Sequence, residues 1–279
     1  MYSKLNKIRN IAIFGSTGCI GQNTANLISK NLDHYNVKVI TGNNNVKLLA
    51  EQAKLLKAKC AVIANESLYQ DLKNLLNNTG IEVCAGRDAI LEVSQKRFDW
   101  AMIAITGIAA LKIVVNLINA QTSIIAIANK ESIVCGGSLL TEFAKEKQTN
   151  IIPVDSEHNA IFQIIGDKKN LSKVTLTASG GPFWKLKSLD NVTLQDALLH
   201  PVWKMGNKIS IDSATMCNKA LEIIEAGHLF NLDSSQLEVL IHPESVIHGM
   251  VSYCDGSVTA AISAPDMSIP IGYSLYWPE

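Results

Sequence analysis

From the N-terminus to about residue 150, short apolar runs alternate with longer stretches in which apolar and polar positions follow the helical period. The runs at 10–14, 37–41, 61–64, 81–85, 100–105, 123–128 and 151–154 predict strands, and the segments 21–30, 46–56, 68–76 and 138–147 predict helices between them. Strands separated by helices pair in parallel, so the alternation predicts an α/β domain over residues 1–150 built on a doubly wound parallel sheet. Beyond 154 the rhythm changes. Loops lengthen, Gly180-Gly181-Pro182 interrupts the chain, and β character returns at 245–252 and 257–262, which predicts a second, α+β domain over 151–279.

Composition narrows the function classes. At 279 residues, 47% hydrophobic and 18% charged, the chain has enough apolar material for a sizeable core and enough length for two domains. Lys plus Arg and Asp plus Glu balance at 25 each, so no net charge recruits nucleic acid or an anionic membrane, and attraction of a substrate has to be local. The six cysteines, Cys19, Cys60, Cys84, Cys135, Cys217 and Cys254, form no C-x-x-C pair and suggest neither a zinc motif nor a disulfide framework, as expected in a reducing, cytoplasmic setting. Lys4, Lys7 and Arg9 precede an apolar run that Gly15 and Gly18 break too early for a signal peptide, and the stretch 101–111 stops at Lys112, short of a membrane span.

The first predicted strand runs into Gly15-Ser16-Thr17-Gly18-Cys19-Ile20-Gly21. Glycines three apart between a strand and a helix permit a tight turn and let backbone N–H groups approach a pyrophosphate at the helix N-terminus; a plain tight turn is the other reading. The second strand ends in Thr41-Gly42-Asn43-Asn44, where an NAD-binding chain usually offers Asp or Glu to the ribose hydroxyls. With no carboxylate to repel a 2′-phosphate, the turn favours NADPH. No Arg is adjacent and Lys47 is the nearest base, so we expect a modest preference over NADH.

Two acidic clusters lie further on. Ser213 is a suitable helix N-cap, and Asn218, Glu222 and Glu225 follow at i, i+4 and i+7, an amide and two carboxylates on one stripe with Lys219 beside them. Lys and Glu are rarely buried unpaired, so the stripe is either a solvated helix face or a site. Upstream, the strand end at Val154 leads into Asp155 and Glu157. In extended backbone both side chains project to one side; the alternative is that they cap a helix beginning near His158. Should Glu222 meet this pair, each like-charge contact at about 4 Å costs roughly 4 kcal/mol at an effective dielectric near 20, and a bound cation relieves it. Oxygen ligands without Cys favour Mg²⁺ or Mn²⁺ over zinc.

Several long motifs in order give the chain a close resemblance to the 1-deoxy-D-xylulose 5-phosphate reductoisomerase family. They are the 15–21 glycine loop, Ala128-Asn129-Lys130-Glu131-Ser132, the segment 153–163 from Pro153 to Gln163, Ser179-Gly180-Gly181-Pro182-Phe183, the segment 200–222 from His200 to Glu222, and His242-Pro243-Glu244-Ser245-Val246-Ile247-His248. The resemblance implies a Rossmann-like NADPH domain and a catalytic domain, with the family's C-terminal helical domain absent from this chain and Tyr273, Tyr276 and Trp277 left as an exposed apolar patch. It implies cofactor contacts from Thr17, Gly18, Cys19, Ile20, Gly42, Asn44, Asn129, Glu131 and Gly206. Asp155, Glu157 and Glu222 would hold Mn²⁺, Mg²⁺ or Co²⁺ and, with Lys130, carry catalysis. Lys130 and Ser156 would contact the substrate, and Ser179, His200, Ser213, Asn218 and Lys219 its phosphate and hydroxyls, under a flap bearing Trp203 and Met205. The chain departs from the family in the Asn43-Asn44-Asn45 turn, one residue longer and without its basic residue, and in Asn207, where the family has Arg.

The activity so implied is a metal-assisted retro-aldol rearrangement of 1-deoxy-D-xylulose 5-phosphate, then reduction by NADPH to 2-C-methyl-D-erythritol 4-phosphate for isoprenoid synthesis. The expected partner is a small sugar phosphate, with no nucleic acid or membrane, and the expected assembly a cytoplasmic homodimer. The residues alone leave two other readings: another NADP-dependent reductase, such as a semialdehyde dehydrogenase using Cys135 as nucleophile, or an inactive nucleotide-binding module. His34, His158, His228 and His242 read as ordinary core or surface residues, and His248 at most as a support to the site.

Overall fold

The computed structural model describes residues 7–203 and 206–278. Its first strands are short and almost wholly apolar, which suits a sheet buried on both faces: Cys60–Ile63, Trp100–Ile103 and Ile124–Ile127 bury every residue. In chain order the elements are β1 (Arg9–Phe14), α1 (Cys19–Ser29), β2 (Tyr35–Gly42), α2 (Val46–Leu55), β3 (Cys60–Ile63), α3 (Tyr69–Leu75), β4 (Glu82–Ala85), α4 (Arg87–Ser94), β5 (Trp100–Ile103), α5 (Ala109–Asn119), β6 (Ile124–Ile127), α6 (Lys130–Glu146) and β7 (Asn150–Pro153). The strands form one parallel sheet in the order β4-β3-β2-β1-β5-β6-β7. Its order reverses between β1 and β5, and a doubly wound sheet binds ligands at the carboxyl ends of the strands flanking that reversal.

The expected strands are all present within a few residues. Two helices that the pattern left unassigned, α4 and α5, cover the sheet as well, and α6 begins at Lys130 rather than at 138. Gly137 explains that difference. It adopts φ 54° and ψ −144°, so α6 is two helical pieces joined at a kink, and the Gly136-Gly137 pair conceals the first piece from a reading by periodicity.

After β7 come α7 (Ser156–Ile164), β8 (Leu171–Ala178), α8 (Leu194–Leu198), α9 (Asn207–Ala214), α10 (Cys217–Phe230), β9 (Leu237–Ile241), β10 (Ile247–Tyr253), β11 (Val258–Ile262) and α11 (Ser268–Tyr276). Four of these strands form a second sheet, β11-β10-β8-β9, with β10 antiparallel to both neighbours and β8 parallel to β9. Ile161 of α7, Val174 and Leu176 of β8, Ala226 and Phe230 of α10 and Val251 of β10 share one buried cluster. Strands β8 and β9 were not expected, because Ser172, Lys173, Thr175 and Thr177 dilute the apolar signal of β8 and its parallel partner lies far along the chain.

The chain divides into two compact units, Met1–Val154 with Met267–Glu279, and Asp155–Asp266. The C-terminal segment, read from sequence as the end of the second domain with an exposed aromatic patch, thus returns to the first unit as α11. The buried Trp100 indole donates to the Ser274 carbonyl at 2.9 Å. Arg9 donates to the carbonyls of Leu275 and Trp277 at 2.7 and 2.9 Å, satisfying acceptors that the end of a helix leaves open. Leu275 is buried, and Tyr273, Tyr276 and Trp277 are half-buried. Among the described residues no helix is long and apolar enough to cross a membrane.

The glycine turn is held by packing as much as by conformation. Gly15 has φ +91°, and a Cβ on Gly21 would lie 2.1 Å from the Gly15 carbonyl oxygen, so only glycine lets α1 start this close to β1. A Cβ on Gly18 would meet nothing nearer than 3.6 Å. Gly21→Ala is therefore expected to destabilise the protein by about 1–3 kcal/mol, whereas Gly18→Ala stays within about 1 kcal/mol of the parent, as read from urea midpoints. Equal midpoints for the two variants would contradict the packing argument.

Candidate active site

In the second unit, acidic residues are gathered by the start of α7 and the middle of α10. Asp155 is the N-cap of α7: its Oδ1 accepts the Glu157 N–H at 3.3 Å, and Glu157 follows in the first turn. The capping reading of this pair is thus the conformation found, and the extended-strand reading is replaced by it. Capping does not exclude a site, because the first turn of α7 brings both carboxylates to Glu222 of α10. Asp155, Glu157 and Glu222 each offer an oxygen, and these atoms all lie within 4.8 Å of one another.

The start of α10 differs from expectation. Ser213 lies in the last turn of α9, not at an N-cap; Met216, at φ 61°, separates the two helices and α10 starts at Cys217. The stripe on α10 nonetheless forms. Lys219, Glu222 and Glu225 are 5%, 1% and 1% exposed, which excludes a solvated face. Charges buried this deeply have to be matched. The Lys219 ammonium donates to Glu157 Oε1 at 2.7 Å and to the Thr177 carbonyl at the end of β8, and pairs with Glu222. The Asn218 amide donates to Glu222 Oε1, and the Ser156 hydroxyl to Glu157 Oε2 at 2.6 Å.

The electrostatics follow from this crowding. Burial pushes the Glu157 carboxyl above its ordinary range against the pull of Lys219, and the like charges of Glu222 and Asp155 add to the rise. Burial opposes the charge on Lys219, but Glu157 and Glu222 outweigh it and raise its pKa. Three clustered hard oxygen donors, with a lysine ammonium as stand-in cation on two of them, fit a small divalent metal ion.

His158 is the residue that sequence reasoning passed over. It is fully buried, with Nδ1 3.0 Å from Asp155 Oδ1, Nε2 2.8 Å from the Glu222 carbonyl and 3.6 Å from Glu225 Oε2. Burial disfavours its charge, yet Glu225 and Asp155 prevail and bring its pKa to about 9. Glu225 therefore serves His158, and His158 orients Asp155. The i, i+3 spacing of Asp155 and His158 on a helix was the only signal available in the sequence.

Ser179 and His200 also meet, with Ser179 Oγ 2.9 Å from His200 Nε2. His200 Nδ1 accepts the N–H groups of Val202 and Trp203 at 3.2 and 2.9 Å, so the ring proton belongs on Nε2 and points at Ser179. Burial lowers the His200 pKa, which keeps the ring neutral. Trp203 lies edge-on to His248, with centroids 6.2 Å apart; Met205, expected beside it on the flap, is outside the described residues. Ser213 sits where Gly181 packs on α9, since a Cβ at Gly181 would lie 2.8 Å from the Ser213 carbonyl oxygen. Gly206 is the exposed N-cap of α9.

In the first unit the 15–21 loop lies at the carboxyl end of β1. The Gly15 N–H donates to Thr41 Oγ1 at 3.0 Å and the Ser16 N–H to the Thr41 carbonyl at 2.7 Å. Gly18 is the N-cap of α1, and no side chain caps the helix, so Thr17, Gly18, Cys19 and Ile20 surround a bare helix start suited to an anion. Gly42 ends β2 against Thr17; a Cβ there would lie 3.1 Å from Thr17 Cγ2. Asn129 caps α6, accepting from the Ser132 N–H at 2.8 Å and from its hydroxyl, and donating to the carbonyls of Ile105 and Gly107 and to Glu131 Oε2. Its amide thus pins the end of β6 to the loop after β5. Lys130 is buried beside it, and Cys135 is exposed on α6.

The chain matches two family models, 1-deoxy-D-xylulose 5-phosphate reductoisomerase over residues 11–137 and the C-terminal domain of the same enzyme over residues 151–230. The enzyme of that name from Ehrlichia canis (strain Jake) is 54% identical over 276 residues, covering 98% of this chain and 71% of that protein. Among solved structures, the Zymomonas mobilis enzyme in complex with NADPH superposes with TM-score 0.91 at 47% identity, covering 98% of this chain and 72% of that one. A reductoisomerase in complex with NADPH, fosmidomycin and magnesium gives 0.90 at 37% identity, with 98% and 70% covered. With both halves of its sequence and its whole fold matched, the chain belongs to the 1-deoxy-D-xylulose 5-phosphate reductoisomerase family.

Proposed function

We infer that this protein converts 1-deoxy-D-xylulose 5-phosphate to 2-C-methyl-D-erythritol 4-phosphate in isoprenoid precursor synthesis, using NADPH and Mg²⁺ or Mn²⁺. The observation that carries this reading is the trio Asp155, Glu157 and Glu222, three buried or half-buried carboxylates converging in a chain of this family. These three residues would hold the metal. A bound metal ion supplies Lewis acidity to the substrate's carbonyl and neighbouring hydroxyl, and NADPH supplies the hydride. His158 keeps Asp155 in its orientation from below.

The chain's own groups do the rest. With His200 Nε2–H donating to Ser179 Oγ, the Ser179 hydroxyl keeps its proton for an oxygen of the substrate phosphate. Ser213, Asn218 and Lys219 add donors to that phosphate and to the substrate hydroxyls, and Ser156 and Lys130 contact the substrate. Thr17, Gly18, Cys19, Ile20, Gly42, Asn44, Asn129, Glu131 and Gly206 form the NADPH contacts, the first four through the bare start of α1. We further propose a cytoplasmic homodimer, for which the exposed Val258 and Ile262 of edge strand β11 offer apolar surface.

The direct test is NADPH oxidation, followed by absorbance, with 1-deoxy-D-xylulose 5-phosphate present and Mn²⁺ added or chelated. Turnover that depends on both is expected; turnover indifferent to chelation overturns the metal assignment. Glu157→Gln should abolish turnover while leaving the NADPH dissociation constant within about twofold, since the two sites draw on different segments of the chain. Activity retained by that variant would remove Glu157 from the ligand set. Lys219→Met leaves buried carboxylates without their ammonium, which costs about 3–5 kcal/mol. Its melting temperature should therefore fall in EDTA and recover on adding Mn²⁺, with a larger metal-induced rise than in the parent; equal rises would refute the stand-in role of Lys219.

A further inference from the structure

The turn after β2 has three asparagines and no arginine, at a place where doubly wound folds read the ribose of a dinucleotide. The three are not equivalent. Asn45 is the N-cap of α2, its Oδ1 accepting the Leu48 N–H at 3.2 Å. Asn43 gives its backbone carbonyl to the Asn65 N–H at 3.3 Å, which, with the Ala64 N–H on the Gly42 carbonyl at 2.8 Å, ties the turn to the end of β3. Asn44 is held through its side chain, with Asn65 Nδ2 donating to Asn44 Oδ1 at 3.0 Å.

The polarity of that last bond is forced. Asn65 Oδ1 accepts the Ser67 backbone N–H at 3.1 Å and the Ser67 hydroxyl at 2.7 Å. A backbone N–H can only donate, so Asn65 has to turn its oxygen to Ser67 and its NH₂ to Asn44. That NH₂ can only donate as well, so Asn44 turns its oxygen to Asn65 and presents its own NH₂ on the opposite side. Asn44 is exposed.

We propose that Asn65 is a positioning residue for cofactor choice: through Ser67 and Asn44 it fixes a donor-only amide at the ribose 2′ position, which selects the acceptor-only oxygens of a 2′-phosphate. The proposal rests on the NADPH reading above. It explains how a turn without arginine discriminates. A carboxylate in this place would accept the proton of a free 2′-hydroxyl and repel a phosphate; the Asn44 amide, locked in this sense, can donate to either, and bonds the charged phosphate oxygens more strongly than a hydroxyl. A neutral amide binds phosphate less strongly than a guanidinium, so the preference is modest.

Calorimetric titration of the full chain with 2′,5′-ADP and with 5′-AMP, which differ only in the 2′-phosphate, tests it without turnover. The parent should favour 2′,5′-ADP by about tenfold, the worth of one hydrogen bond to a charged group. Asn65→Ala, which removes the relay and adds no charge, should weaken 2′,5′-ADP by about fivefold or more and leave 5′-AMP within about twofold. Asn65→Asp still accepts from Ser67 but also accepts from Asn44, turning the Asn44 oxygen outward, and should erase the preference. Adding Asn44→Ala to Asn65→Ala should cost nothing further, because residues acting as one unit are not additive. In kinetics, Asn65→Ala should raise the KM for NADPH and leave kcat unchanged. If the parent discriminates but Asn65→Ala weakens both nucleotides alike, or neither, the relay is refuted and the NADPH reading stands. If the parent binds both equally or binds neither, the NADPH reading of this turn fails and the relay fails with it.

Discussion

An ammonium ion removed from water needs opposite charge at hydrogen-bond distance, or its desolvation, several kcal/mol per ion, goes uncompensated. Lys219 meets that requirement through Glu157, Glu222 and the Thr177 carbonyl, and in doing so it couples α7, α10 and the end of β8. None of the three elements can shift without breaking a bond to this buried ammonium. The same constraint explains the second buried cation. His158 sits between Asp155 and Glu225, so each carboxylate of the cluster has either an ammonium or an imidazolium beside it. Two cations beside four carboxylates leave the cluster with an excess of acidic groups.

The two units solve a similar problem by opposite means. In the first, α1 begins with no side-chain cap and α6 with a fully engaged Asn129. The bare start offers N–H groups to an anion, and the capped one fixes the loop after β5. In the second, α7 begins with Asp155, whose carboxylate both satisfies the helix and joins the carboxylate trio. A helix N-terminus carries positive potential, and placing acidic residues there lowers the cost of gathering them.

Amides recur at the helix starts and strand ends of the first unit. Asn45 and Asn129 cap helices, and Asn44 and Asn65 face each other at the ends of adjacent strands. Amides serve here because each has one donor end and one acceptor end, so a single backbone N–H, that of Ser67, is enough to set the direction of a chain of them.

The apolar runs and the glycine spacing by themselves determined the parallel sheet, its order of strand and helix, and the dinucleotide turn, because short buried strands and a strand-turn-helix junction are local in sequence. The acidic pair and the α10 stripe were legible as residues with two possible uses each. Which use applied was a tertiary matter: nothing local to Lys219 or Glu222 says that Thr177 and Glu157 will close over them. The roles of His158 and Asn65 were hidden for the same reason, since their partners Glu222 and Asn44 lie far along the chain. The return of α11 to the first unit was likewise invisible, since the buried Trp100 indole finds its acceptor in the Ser274 carbonyl, 174 residues along the chain. Periodicity reports which side of an element is buried; it carries no record of what that side is buried against.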